Sequence, residues 1–199
     1  MVVLRMAACC VLGAASMVAA AQMGASTAPA PAVGSISAPS AALDSQLSLI
    51  EMEMMGAVKA MPADKFSFAP SAAIFVPTQK TEFGTVRTFA QQATHVAEAN
   101  YFFAALVTSQ QPDPKVRAVE KLTNKDDVVA ALADSFAAAH KAFATLTPAN
   151  AFEVIKSPEP GFATRSTLSG FLIAHANDHY GQMVEYLRMN GIVPPASTR

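Results

Sequence analysis

The chain has 199 residues, 52% of them apolar, with no tryptophan and a net charge of −1. That near-balance excludes the basic stripe a nucleic-acid surface needs, and the length suits one domain plus a leader.

The leader comes first. "MVVLR" is a short n-region with a single positive charge, and "MAACCVLGAASMVAAA" is an uncharged apolar run. Ala19 and Ala21 occupy the small-residue positions of an A-x-A site, so residues 1–21 are expected to be a signal peptide cut after Ala21. An uncleaved anchor is the alternative, but a span takes about 20 residues and this run is short and rich in alanine. Cys9 and Cys10 both lie in the leader, so the mature chain has neither a disulfide framework nor a thiolate nucleophile. Together these features predict a periplasmic or secreted bacterial protein with no stable membrane span after cleavage. Residues 22–39, "QMGASTAPAPAVGSISAP", combine small residues and prolines without a period and read as a flexible tether.

Residues 40–199 are expected to fold as one all-α domain. Ser40 is the expected N-cap of the first helix. Its apolar stripe, Leu43, Leu47, Ile50, Met54, Ala57 and Met61, steps by three and four and stops before Pro62. The methionines of this helix, Met52, Met54 and Met55, read as core filling. Residues 62–79 form a long connection rich in proline and phenylalanine, expected to pack over one end of the domain. A second helix is expected from near Thr81 to about Thr108, with Phe89, Ala93, Asn100, Phe103 and Val107 near one face. "TNKDD" opens a third, with Thr123 or Asn124 as cap and Asp126 and Asp127 at the positive end of the helix dipole. Its stripe is Val129, Leu132, Phe136, Ala139, Phe143 and Leu146. A fourth starts near Ser166 and ends at Asn190-Gly191, the pair expected at a helix C-terminus. No stretch alternates with period two, so the fold class is all-α, a four-helix bundle.

The last helix poses a chemical question. Leu168, His175 and Gln182 are spaced by seven, as are Leu172, His179 and Tyr186, and the two rows are neighbours. Both histidines therefore face inward, one turn apart, with Cβ atoms about 6 Å from each other. A lone inward histidine is usually a satisfied core residue. Two on one face each need a buried partner, which a single metal ion supplies at once. His95, in mid second helix at the flank of its stripe, can reach across as a third ligand. Three neutral imidazoles suit zinc, nickel or iron in the divalent state. Three protein ligands leave positions open for water or substrate, as catalytic sites do. His140, beside Lys141, reads as a solvated surface residue.

These residues carry a resemblance. "TFAQQATHVAEANYFF" and "HANDHYGQMVEYLRMNGIVPP" are similar to the DinB-like (DinB/YfiT) superfamily, with a histidine in the second helix, H-x-x-x-H in the last, a glycine-glutamine pair and a "YLR-NG-PP" ending. The resemblance runs from about Leu43 to Pro195. It implies a four-helix bundle with non-sequential helix order, and a divalent metal ion held by His95, His175 and His179. It also implies dimers, so a homodimer is the expected assembly, and relatives that use small thiols as transferases or isomerases. Many relatives carry an acidic residue two positions after the first histidine of the pair; this chain has Asn177 there, followed by Asp178. Low-molecular-weight thiols are cytosolic, which sets an exported chain apart from that substrate class.

An ion with an open side can lower the pKa of a water or thiol to about 7, or polarise a carbonyl. Candidate helpers are three. Asp178 either orients a ligand ring or is solvated. Gln182 either hydrogen-bonds a water at the ion or closes a polar pocket. Glu98, three residues after His95, is a candidate base. Tyr180 reads as packing or surface, and Phe102 and Phe103 as core walls. The functional expectation is an exported metal-dependent hydrolase or transferase, with or without a thiol as co-reactant, acting on a small-molecule substrate that the sequence does not name. A non-catalytic metal- or ligand-binding module is the alternative.

Overall fold

A computed structural model describes residues 31–71, 84–158 and 161–198 of the chain. The expected signal peptide and most of the expected tether lie outside those residues. Two compact units separate at Ser35. Of the first, only a turn closed by Ser35 bonding to the Ala32 carbonyl is described. The second, Ile36–Arg199, holds every helix considered below.

Four long helices build it: α1 (Pro39–Ala60), α2 (Phe89–Val107), α3 (Lys125–Phe143) and α4 (Arg165–Met189). Among the described residues there is no strand, only an isolated bridge between Val154 and Thr164. No described helix is long and apolar enough to cross a membrane. The inward stripes follow the spacing of the sequence. Leu47, Ile50, Met54 and Ala57 of α1 are buried, as are Leu132, Phe136, Ala139 and Phe143 of α3. On α3 it is Val128, not Val129, that is fully buried at the start of the stripe. These side chains meet Phe89, Ala93, Phe103 and Val107 of α2 and Leu168, Leu172, Met183 and Leu187 of α4 in one core. Met54 sits inside that core and Met55 packs against it.

Helix ends are set by local chemistry, and two differ from expectation. α1 has Pro39 in its first turn and Ala38 at the cap, with no side-chain cap bond, so Ser40 is not the N-cap. Proline fits there because its missing N–H would be unpaired anyway. α2 starts at Phe89 rather than near Thr81; residues 81–83 lie outside the described set. Thr88 and Gln91 form a capping box that fixes this start, after a turn in which Thr85 adopts φ +63°. The carbonyls of Phe68 and Phe66 accept from the Phe89 and Ala90 amides at 2.8 and 2.9 Å, so residues 66–68 of the preceding connection pack over this end. Asn124 caps α3, with Asp126 and Asp127 in its first turn. Thr164 and Thr167 make a second capping box on α4. At the far end Gly191, at φ +73°, closes a Schellman turn: its amide bonds to Arg188, and that of Ile192 to Leu187.

The helices are not arranged in chain order. α2 packs against α3 and α4, and α1 against α3 and α4, while α1/α2 and α3/α4 sit on the diagonals. The chain therefore passes from one diagonal partner to the other twice, between α1 and α2 and between α3 and α4. This is the non-sequential order expected from the resemblance. It brings α2 and α4, distant in sequence, side by side.

Candidate metal centre

α2 and α4 each turn a polar patch toward the other. Asn100 and Ser135 hydrogen-bond between α2 and α3 at 3.1 Å, but the titratable patch lies on the α4 side. There the Nε2 atom of His175 lies 3.3 Å from that of His95 and 3.2 Å from that of His179. One ligand atom from each ring falls within a common 4.8 Å cluster. The three rings thus converge through Nε2, His175 and His179 from successive turns of α4 and His95 from α2.

Proton positions explain why the convergence matters. The exposed Asp178 carboxylate can only accept, so the Gln182 amide nitrogen 3.1 Å away donates to it. The Gln182 oxygen then faces Gln92, whose amide nitrogen donates to it at 2.8 Å. That leaves the Gln92 oxygen 2.5 Å from Nδ1 of His179, which must donate. With its proton on Nδ1, neutral His179 presents a bare lone pair at Nε2. Two further Nε2 atoms crowd against it. A neutral ring carries one N–H, so hydrogen bonding among the three cannot satisfy them all. The Nδ1 atoms of His95 and His175 are buried without a hydrogen-bond partner. Glu120 stands 3.9 Å from the former, too far for a hydrogen bond but close enough for its charge to be felt.

Charging these rings is unfavourable. Burial, then the neighbouring His179 and His95, push His175 down to about 4. Burial and His95 push His179 down to about 4 as well. Burial and the Arg87 guanidinium lower His95. All three are therefore neutral at physiological pH, the form that ligates a metal. A tetrahedral ion about 2.0–2.1 Å from each imidazole nitrogen would space those nitrogens about 3.3 Å apart. The observed 3.2 and 3.3 Å fit that spacing. A divalent ion is the kind of group this donor set accommodates.

A model of the DinB superfamily matches residues 46–183. The chain belongs to the DinB superfamily. The match spans more than half of this member's length and contains all three histidines. No curated protein matches the chain at a significant level.

The helper residues fall in different places. Asp178 is exposed and does not touch a ligand ring directly; it acts at the end of the amide chain through Gln182 and Gln92. Gln182 closes a polar pocket behind His179. Glu98 lines a cavity together with His95 and His175. Its carboxyl is pushed up to about 7, by burial first and then by a hydrogen bond to Glu120 and that group's charge. Tyr180 is half-buried against the core, and Phe102 and Phe103 wall it.

Gln92 and His140 depart from what the sequence suggests. Gln92 is buried and bonded to His179, a role whose one sequence signal is its place three residues before His95 on the same helix face. His140 is not a solvated surface residue. Its Nδ1 is 2.5 Å from Asp44 and its Nε2 2.9 Å from Glu51, so it ties α3 to α1. Burial alone would lower its pKa, but the hydrogen bonds and charges of the two carboxylates outweigh burial and raise it. The signal was on α1, where Asp44 and Glu51 stand seven apart and so share a face.

Proposed function

We propose that this DinB superfamily member is an exported, divalent-metal-dependent hydrolase or transferase of a small molecule, with His95, His175 and His179 as the ligands. The observation that carries the reading is the meeting of three neutral Nε2 atoms that hydrogen bonds among themselves cannot satisfy. Zinc, nickel and iron all suit three imidazoles. Export is supported by the charge-free apolar run and small-residue cleavage site of the leader.

A bound divalent ion would supply Lewis acidity to a reactant at its open side. The remaining work belongs to the chain. Gln92 holds the His179 proton at Nδ1 and so keeps Nε2 free for ligation. Glu98 stands at the wall of the cavity that reaches His95 and His175, with a carboxyl poised to take up or return a proton near neutrality. Phe102, Phe103 and Phe171 line that cavity and limit water in it.

Elemental analysis of protein purified after export tests the reading. One divalent ion per chain is expected, lost in His175→Ala together with activity on a panel of small esters, amides and thiols. Protein that takes up no zinc, nickel or iron, and gains no thermal stability when they are added, would overturn it. An ion retained without turnover on any of the panel would leave the non-catalytic binding module.

A further inference from the structure

Two cavities meet at His95, and they differ in character. One, about 530 Å³, is polar, with Arg87, Gln91, Thr94 and Glu120 in its walls. The other, about 630 Å³, lies between α2 and α4 under the segment 112–117 and ends on His95 and His175. Its walls are mostly carbon: Phe102, Phe103, Phe171, Pro112 and Val116. The volume is that of a site for a drug-sized molecule, typically about 300–1,000 Å³.

The three phenylalanine rings of this second cavity belong to a connected ladder that continues behind them to Phe162. Phe162 stacks on Phe171 at 4.4 Å, Phe171 meets Phe103 edge-on at 5.1 Å, and Phe103 meets Phe102 edge-on at 5.3 Å. Phe102 and Phe171 are only half-buried, so part of their apolar area remains open to the cavity. Aromatic rings favour offset-stacked or edge-to-face partners, and a further planar ring extends such a ladder. Besides the imidazoles of His95 and His175, the polar side chains in its walls are Glu98, Asp113 and Arg117.

We propose that the slot between α2 and α4 binds an apolar, ring-bearing small molecule, its ring against Phe103 and Phe171 and its polar end at His95 and His175. The polar end rests on the reading of the triad as a metal centre; recognition of the ring does not. The polar cavity on the Arg87 side is left for water or a second, hydrophilic reactant.

Calorimetry with two hydroxamates on the zinc-loaded full chain tests this. 4-Phenylbutyrohydroxamic acid and acetohydroxamic acid share a chelating head and differ in the ring-bearing tail. The phenyl compound is expected to bind at least tenfold tighter. Phe171→Ala and Val116→Glu should each cut that ratio at least fivefold while leaving acetohydroxamic acid unchanged. Val116 lies outside the four helices, so that variant keeps the test informative if Phe171→Ala fails to fold. Equal affinities, or a ratio that survives substitution, would overturn the proposal. Zinc content, measured separately, reports on the metal reading. If zinc is not taken up, 4-phenyl-1-butanol replaces the hydroxamates: saturable binding lost in Val116→Glu supports the slot, and binding that is absent or unchanged by the substitution overturns it.

Discussion

The Gln92 oxygen lies 2.5 Å from Nδ1 of His179, and this contact fixes which nitrogen of the ring is free. Its direction is set by the exposed carboxylate of Asp178, two amide side chains away. Gln92→Leu keeps the volume but removes the acceptor. Partners of this kind are worth about 10–100-fold in metal affinity. We expect a loss of that size, measured by competition with a chromophoric chelator, and a much smaller one for Asp178→Ala at the solvent end.

Removal of the ion should destabilise the protein. A ligand that binds only the folded state adds about 2.7 kcal/mol when present at a hundred times its dissociation constant. Treatment with a chelator should therefore lower the melting temperature of the wild-type chain, and readdition of zinc should restore it. His179→Ala should melt at the same temperature with and without chelator.

His140 gives the stability a pH dependence of definite sign. Asp44 and Glu51 of α1 engage both ring nitrogens and raise the folded-state pKa above the ordinary 6.5. The stabilisation is complete below 6.5 and is lost as pH rises through the raised folded-state value. The effect is modest, because the carboxylates are partly solvated. Urea unfolding across that range should show the decline in wild type, and His140→Gln should abolish it.

Phe136 is fully buried where α3 faces the common core. Phe136→Ala removes its contacts and leaves a cavity that packed helices fill poorly. The expected cost is about 3–5 kcal/mol, read from denaturant unfolding at constant m.

Thr88 sets the start of α2, one turn before Gln92 and two before His95. Thr88→Ala loses the capping box and should cost about 1 kcal/mol. Amide exchange at Gln91 and Gln92 should quicken, since the released first-turn N–H groups fray first.

Much of this arrangement is legible in the sequence because helical period is a strong signal. The inward rows of α4 placed His175 and His179 on one face, and the buried stripes of α1 and α3 follow their spacing almost residue for residue. What escaped depends on partners from other helices. A glutamine at position 92 carries no mark of its neighbour on α4. The charge of His140 depends on two acids nearly a hundred positions earlier, not on the adjacent Lys141. The start of α2 was readable in Thr88-Phe-Ala-Gln91, a capping pattern hidden by an earlier threonine.

The order of the helices also sets when a binding site can exist. His95 and His175 are 80 positions apart, with the whole of α3 between them. A chain emerging from a ribosome or a translocation channel offers a single imidazole of the three until its last helix is out. A cation held by all three rings could not template the first three helices. It would join an almost finished molecule, as a late staple that locks the C-terminal helix in place.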